Sequence, residues 1–342
     1  MTDHEYDICV IGGGAFGTAL AHILASRERR VALWVRRPEL AEEINREHRN
    51  QRYLPGLALC PSLQASSELE ALTRSTPILL MAVPSRHFRA TARQLGDFLS
   101  AEQIVVHATK GIEQQSYQRM SQVLREESCA IKLGVISGPN LANELVRGQP
   151  AGALVASRFD EVALALQAQF SGSSLRLYRG RDVIGTELAG AFKNIVALAA
   201  GAVDGLDLGD NAKAMLVTRG LSEMARFGVA LGAQVMTFGG LAGIGDLMAT
   251  CASKLSRNHQ VGQRLARGES LESTAASMPH IAEGVFTCRA VHAQAQALHL
   301  ELHIVSAVHA FLFEGWSIEA VLGELLSRPT GEELAMMPSR GA

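Results

Sequence analysis

The chain has 342 residues, 47% hydrophobic and 19% charged, which is enough for about two globular domains and excludes a disordered protein. Lysine and arginine number 32 against 34 acidic residues, so the balance gives no reason to expect a nucleic-acid or membrane-surface partner. The five cysteines are scattered and form no CxxC pair, which favours a reduced, cytoplasmic protein. We expect no signal peptide, because the N-terminus MTDHEYD is polar and acidic, and no membrane span, because no apolar run reaches about 18 residues.

The first predicted element is a buried strand at residues 7–11, followed by a GxGxxG turn, a helix and a second strand at 30–35. This order is the dinucleotide-binding arrangement of a doubly wound α/β sheet. Gly12 permits the tight turn, Gly14 lets the backbone approach a pyrophosphate, and Gly17 lets helix and strand pack closely. The amides at the helix N-terminus would hold the phosphate charge.

An arginine pair follows the second strand. Arg36 and Arg37 stand where an NAD enzyme usually offers Asp or Glu to the ribose 2′-hydroxyl. Because arginine suits a 2′-phosphate, the pair predicts NADPH as the cofactor, with NADH use left open. The alternative is a solvated pair on a loop.

Four further strands are predicted at 78–83, 104–108, 133–136 and 153–156, with helical spacers between most of them. Polar or glycine-containing turns follow three of these strands. Ligands of doubly wound sheets bind outside the carboxyl ends of the strands, so these turns are candidate binding sites. One of them carries Lys110, which is either a ligand contact or a surface cation.

After about Asp182 the pattern becomes helical. Helices are predicted at 185–203, 210–227 with Asp210 as N-cap, 258–267, 283–298, 303–314 and 317–327. The sequence thus predicts a Rossmann-type domain over 1–183 and an all-helical substrate and catalytic domain over 184–342, with a frayed tail from about 328.

The predicted helix at 185–203 carries Lys193 among small residues. Ala189, Gly190, Ala197 and Gly201 lie three, four or eight positions from this lysine. Such neighbours allow a backbone or a ligand to approach the amine closely. The alternative is a solvated surface lysine.

Two polar features follow in the helical half. A glycine-rich loop at 238–251 surrounds Asp246. Next, Ser256 is placed to cap a helix whose first turn contains Arg257 and Asn258, which together form an anion site suited to a phosphate group. An ordinary capped helix with a surface arginine is the alternative.

Seven motifs, in this order and spacing, resemble those of the bacterial NAD(P)-dependent glycerol-3-phosphate dehydrogenases. They are IGGGAFGTALA (11–21), ATKGIE (108–113), VISGPNLANE (135–144), ELAGAFKNIVA (187–197), LAGIGDLMATC (241–251), SRNHQVG (256–262) and AEGV (282–285). That family reduces dihydroxyacetone phosphate to sn-glycerol 3-phosphate, the backbone of glycerophospholipids, and also runs the reverse reaction.

The resemblance implies that Lys193 is the catalytic acid/base and that Lys110 contacts cofactor and substrate. On physical grounds a carboxylate near Lys193, for which we expect Asp246, would orient the ammonium and balance its charge. With the glycine turn, the implied cofactor set is Gly12, Gly14, Ala15, Phe16, Gly17, Arg36, Arg37, Lys110, Ala142, Arg257, Ile281 and Glu283. The implied substrate set is Lys110, Gly138, Asn140, Lys193, Asp246, Ser256, Arg257 and Asn258. No metal is needed. Asn140 stands where many relatives have Ser or Thr, and Ala15 where many have Ser; both positions can contribute backbone contacts.

Two other interpretations stay open. A dehydrogenase of 3-hydroxy acids or sugar phosphates would also pair a Rossmann half with a helix-borne lysine, although Ser256–Asn258 and the glycine loop favour a small phosphorylated triose. A catalytically silent NADPH sensor would have no need for the three charged residues Lys110, Lys193 and Asp246. The apolar faces of the helical half would suffice for a homodimer.

Overall fold

A computed structural model of the chain describes residues 4–278 and 282–327, which form two compact units. The first contains the described residues up to Thr109 together with Met120–Val183. The second contains Lys110–Arg119 and the described residues from Ile184 onward. The short segment Lys110–Arg119 therefore groups with the helices, although it falls within the range 1–183 predicted for the first domain.

The centre of the first unit is an eight-stranded sheet with the order β3-β2-β1-β4-β5-β6-β7-β8. The strands are β1 (Ile8–Ile11), β2 (Val31–Trp34), β3 (Gln64–Ser66), β4 (Ile78–Met81), β5 (Ile104–His107), β6 (Lys132–Ser137), β7 (Ala151–Ser157) and β8 (Leu175–Gly180). All neighbours are parallel except β6 and β7. The predicted doubly wound α/β class is confirmed.

Helices cover both faces of this sheet. They are α1 (Ala15–Ala25), α2 (Pro38–Glu47), α3 (Leu69–Arg74), α4 (Ser85–Gly96), α5 (Met120–Glu127), α6 (Ala142–Val146) and α7 (Asp160–Phe170). Alternate residues of β1 point to opposite faces: Ile8 and Val10 pack in the core under α1 and α7, whereas Cys9 and Ile11 pack under α4 and α5. Burial on both faces explains why the central strands read as continuous apolar runs.

The two edge strands, β3 and β8, were not predicted. In β8 buried and exposed residues alternate over its first four positions, and β3 is three residues long with one buried residue. An edge strand buries less of its surface and therefore lacks the continuous apolar run by which the inner strands were found.

The second unit is helical, as predicted. Its helices are α8 (Val183–Gly205), α9 (Gly209–Ala230), α10 (Val235–Phe238), α11 (Asp246–Ala252), α12 (Arg257–Ala266), α13 (Leu271–Ser277), α14 (Glu283–Ala297), α15 (His303–Phe313) and α16 (Ile318–Ser327), with a π-helical turn at Leu241–Gly245. Helix α8 runs through the core, where Leu188, Phe192 and Ile195 are buried. The predicted frayed tail from about 328 lies outside the described residues.

Two local predictions in this unit were wrong. Asp210 does not cap α9: Leu208 holds the N-cap position and Asp210 lies in the first turn, because Gly209 adopts a φ of +83° and starts the helix earlier. The predicted loop at 238–251 is mostly helical. Its glycines serve a tight turn, since a Cβ on Gly243 would lie 2.1 Å from the Phe238 carbonyl oxygen.

Two helical stretches of the described chain are long and apolar enough to cross a membrane by length and composition alone. One is Val183–Gly205, whose most apolar window is 83% buried, as expected of the core helix of a globular unit. The other, Val235–Ala252, is broken at Gly243, whose backbone is non-helical. Both are weak evidence for a membrane span.

Candidate active site

Helix α8 buries Lys193 in the core of the helical unit. Its side chain is 6% exposed, and Nζ donates hydrogen bonds of 2.6 Å to Asp246 Oδ1 and 2.6 Å to Thr250 Oγ1. A buried ammonium is tolerated only when it is paired and hydrogen-bonded, and both conditions are met here. The alternative of a solvated surface lysine is therefore excluded.

Asp246 lies between two lysines. It begins α11 directly after the π-helical turn, and its second oxygen, Oδ2, accepts a hydrogen bond of 2.7 Å from Lys110 Nζ. The turn places Asp246 by packing against Phe238, whose ring in turn fills the space beside Gly228: a Cβ on Gly228 would lie 2.1 Å from the ring. One carboxylate thus holds two ammonium groups in fixed positions.

The charges of this cluster alter its proton affinities. Burial lowers the pKa of Lys193 to about 8, with Lys110 acting in the same direction and Asp246 opposing it. For Asp246, burial raises the pKa, but the neighbouring Lys110 and Lys193 outweigh it and hold the pKa below its usual value. Lys193 can therefore gain or lose a proton near neutral pH while Asp246 stays ionised.

An amide chain connects this cluster to two other helices. Asn194 donates through Nδ2 to the Lys110 carbonyl at 3.5 Å and accepts at Oδ1 from Asn258 Nδ2 at 2.8 Å. Asn258 Oδ1 accepts from the Gly284 amide at 2.9 Å. Helices α8, α12 and α14 and the Lys110 backbone are thereby joined through two side chains.

Glycines bring these helices into backbone contact. A Cβ on Gly201 of α8 would lie 1.9 Å from the His259 carbonyl oxygen, and one on Gly262 of α12 would lie 1.8 Å from that of Leu198. Neither distance is compatible with a real Cβ, so only glycine fits at this crossing. The crossing sets the separation between Lys193 on α8 and the N-terminus of α12.

The N-terminus of α12 has the features of the predicted anion site. Ser256 is the N-cap and its Oγ accepts from the His259 amide at 3.3 Å. Arg257 is exposed at the first position of the helix. The Asn258 side chain is committed to Asn194 and Gly284, so a phosphate contact from Asn258 would come from its backbone N–H.

In the first unit, the glycine turn fits a pyrophosphate. Gly12 has a φ of +125°, and a Cβ there would lie 2.8 Å from the Ala82 carbonyl oxygen. A Cβ on Gly17 would lie 1.9 Å from the Gly12 carbonyl oxygen. Gly14, by contrast, faces open space and has no side chain to cap α1. Ala15 and Phe16 form the first turn of this helix. The half-buried backbone at Gly14 therefore leaves room for an anion.

The arginine pair lies at the carboxyl end of β2. Arg36 is exposed, and Arg37 holds the N-cap position of α2. Burial, then Arg86, then Arg36 lower the pKa of His87, so the two arginines create a positive potential at the start of α4. Arg86 was not identified from the sequence, because a single arginine after Pro84-Ser85 has no distinguishing pattern.

The remaining predicted residues lie at element ends. In the first unit, Gly138 follows β6 with a φ of +156°, Asn140 is buried, and Ala142 begins α6. In the second unit, Glu283 begins α14. Ile281 lies outside the described residues.

The comparison with known families decides the assignment. The N-terminal domain of NAD-dependent glycerol-3-phosphate dehydrogenase matches residues 7–163, and the C-terminal domain of the same family matches residues 182–323.

The chain belongs to the glycerol-3-phosphate dehydrogenase family.

Similar proteins include enzymes named glycerol-3-phosphate dehydrogenase [NAD(P)+]. The one from Nitratidesulfovibrio vulgaris strain DP4 is 44% identical over 328 residues, covering 95% of this chain and 99% of the relative. A solved glycerol-3-phosphate dehydrogenase from Coxiella burnetii is 34% identical with a TM-score of 0.91, covering 95% and 99% of the two chains. A structure of the yeast enzyme is 27% identical with a TM-score of 0.82, covering 94% and 99%.

Two residues that contact Lys193 or Lys110 were not predicted from the sequence. Thr250 receives the second hydrogen bond of Lys193, and Asn194 contacts the Lys110 backbone. The spacing of Asp246 and Thr250, four residues apart on a helix, places both on one face and is the signal that could have identified Thr250. It was overlooked because this stretch was interpreted as a loop.

Proposed function

We propose that this glycerol-3-phosphate dehydrogenase family member catalyses the reversible NAD(P)H-dependent reduction of dihydroxyacetone phosphate to sn-glycerol 3-phosphate. The observation that carries the proposal is the buried Lys193 ammonium held against Asp246 and Thr250, with Lys110 on the other carboxylate oxygen. A dehydrogenase needs such a group, because carbonyl reduction places negative charge and then a proton on one oxygen.

When bound, the nicotinamide cofactor supplies the hydride that reduces the substrate carbonyl. Lys193 in its protonated form stabilises the charge growing on the C2 oxygen and then donates the proton to it. In the reverse direction the neutral amine removes that proton from the C2 hydroxyl. Its pKa of about 8 suits both directions near neutral pH.

Asp246 and Lys110 keep Lys193 ready for this task. Asp246 holds the amine in one position, and Lys110 adds positive potential that favours proton release. The exposed Arg257 and the amides at the N-terminus of α12 would hold the substrate phosphate. Binding energy at the phosphate then orients the reacting carbonyl.

The decisive test is a spectrophotometric assay of NADPH oxidation by the purified protein. We expect turnover with dihydroxyacetone phosphate and far less with dihydroxyacetone, which lacks the phosphate. Turnover only with 3-hydroxy acids or sugar phosphates, run in reverse with NADP, would identify the rival dehydrogenase. NADPH binding with no turnover on any of these substrates would identify a sensor.

Arg257→Ala is expected to raise KM for dihydroxyacetone phosphate by about tenfold to a hundredfold, because a charge-assisted bond to a phosphate is lost. A smaller loss of NADPH affinity should accompany it. Steady-state kinetics and NADPH fluorescence titration measure the two effects. Arg264→Ala, on the same helix but paired with Glu269, is the matched control and should leave both constants unchanged. An unchanged KM in Arg257→Ala would contradict the phosphate role.

Arg36→Asp is expected to move the preference from NADPH toward NADH, because a carboxylate repels a 2′-phosphate and accepts from a 2′-hydroxyl. The ratio of kcat/KM values for the two cofactors measures the effect. Arg176→Asp, which makes the same change at an exposed position of β8, controls for net charge. Equal ratios in wild type and Arg36→Asp would show that this arginine is merely solvated.

We further propose that the enzyme works in the cytoplasm, supplies the backbone of glycerophospholipids, and forms a homodimer. Five free cysteines support a reduced compartment. Exposed methionines of the helical unit support self-association: Met215, Met236 and Met248 are 56%, 81% and 60% exposed.

A further inference from the structure

Lys110 begins a small hairpin that packs within the helical unit. Ile112 and Arg119 form an antiparallel bridge, and the Glu113 amide donates to the Gln118 carbonyl at 3.0 Å. Ile112 is buried in the helical core. Lys110 is thus two residues from a position paired directly with Arg119.

The second strand of this hairpin is anchored by charge. The Arg119 guanidinium forms an ion pair with Glu187 on α8, the helix that carries Lys193. The Glu187 side chain is 3% exposed and that of Arg119 is 17% exposed. A carboxylate this deeply buried needs its counter-charge, so the pair resists separation. At the tip, Gln294 of α14 holds the hairpin by donating to the Tyr117 carbonyl at 3.0 Å.

We propose that Arg119 and Glu187 are positioning residues for the reaction: their ion pair fixes the hairpin on α8 and so keeps the Lys110 ammonium against Asp246. The inference rests on the proposed function, in which Lys110 and Lys193 act together. The connection between the ion pair and Lys110 is short. Arg119 is bridged to buried Ile112, and Ile112 is two residues from Lys110. The Lys110 carbonyl also accepts a hydrogen bond from Asn194 Nδ2, which is long at 3.5 Å.

If the ion pair positions Lys110, its loss should change the pKa of Lys193, which a purely structural role would leave unchanged. Among the described residues, the charged groups that act most on Lys193 are Asp246 and Lys110; Thr250 is neutral, and burial raises the pKa of the nearby Cys251 thiol to about 12. Moving the Lys110 ammonium away removes a repulsion, so the pKa of Lys193 must rise. Loss of the Arg119–Glu187 pair, which lets Lys110 move away from Asp246, should therefore shift the pH profile upward.

The test is Arg119→Gln, measured as kcat/KM for dihydroxyacetone phosphate against pH. We expect a loss of about tenfold to a hundredfold, as for a displaced catalytic group. The pKa at which activity falls should rise by roughly half a unit or more. Lys110→Met should cause the same upward shift, and the double variant Arg119→Gln/Lys110→Met should be no worse than Lys110→Met alone. Arg119→Lys should restore part of the activity.

Gln294→Ala is the matched control, because it loosens the hairpin at its tip and leaves the Arg119 pair intact. Its pH profile should match that of the wild type. If Arg119→Gln does not fold, Arg119→Gln/Glu187→Gln replaces the ion pair with two neutral amides and avoids a lone buried charge. An unshifted profile in the folded variant, or additive losses in the double variant, would overturn the inference.

A second readout separates this inference from the proposed function. The pH dependence of Lys193 modification by an amine-specific reagent reports its pKa without substrate or turnover. A wild-type protein without activity would refute the proposed function. An upward shift of the modification pKa of Lys193 in Arg119→Gln would still support the positioning role. The same modification pKa in both proteins would refute it.

Discussion

Lys193→Met is expected to lower kcat for dihydroxyacetone phosphate reduction by about 10²–10⁴-fold, the usual effect of losing a general acid. Methionine keeps most of the buried volume and removes the amine. NADPH affinity should persist, because the glycine turn lies in the other unit. Stopped-flow reduction and NADPH fluorescence titration measure the two quantities. Lys213→Met removes another ion-paired lysine of the helical unit, on α9, and should leave kcat unchanged.

The wild-type pH profile belongs to the same prediction. Lys193, with a pKa of about 8, is protonated below that pH. As the acid in reduction it should give a kcat/KM that is level below pH 8 and falls above it. Oxidation of sn-glycerol 3-phosphate needs the neutral amine, so its kcat/KM should rise through pH 8. In Lys193→Met, both the fall in reduction activity and the rise in oxidation activity near pH 8 should disappear. Wild-type turnover in this variant would remove Lys193 from the mechanism.

Asp246→Asn is expected to destabilise the protein and to impair catalysis at once. The amide keeps the shape but leaves two ammonium groups without their carboxylate, and breaking a buried pair typically lowers the free energy of unfolding by about 3–5 kcal/mol. Because Asp246 raises the pKa of Lys193, that pKa should fall below 8 in the variant. The decline in reduction activity should therefore begin at lower pH.

Denaturant unfolding and the kcat/KM profile measure these two effects. Asp160→Asn is the matched control, since the Asp160 pair with Arg181 is 61% and 74% exposed and should contribute little. A variant as stable as the control, with an unmoved profile, would show that the two lysines do not depend on Asp246.

Local pattern was enough for the parts of the fold whose structure is set by neighbours in sequence. The β1–α1–β2 unit was predicted because each glycine acts within its own turn, and Gly12 and Gly17 do meet each other there. The cap of α12 was predicted for the same reason: Ser256 bonds to an amide three residues on. The N-cap predicted at Asp210 was wrong, because the backbone turns at the preceding residue, Gly209, which has a φ of +83°.

The features that local sequence patterns did not predict depend on contacts between residues distant in the chain. The burial of Lys193 is decided by Asp246 and Thr250, more than 50 residues away, and a sequence pattern alone could not distinguish this lysine from a solvated one. The Arg119–Glu187 pair gave no signal at all, since single charged residues are common on surfaces.

The sequence by itself determined the two-part architecture, the nucleotide turn and the identity of the charged residues, because hydrophobic periodicity and glycine placement act over a few residues. Only the tertiary structure decided which charges share a site and at what proton affinity. Those properties come from burial and from distances of 2.6 Å and 2.7 Å between groups on separate elements, which exist only once the helices have packed.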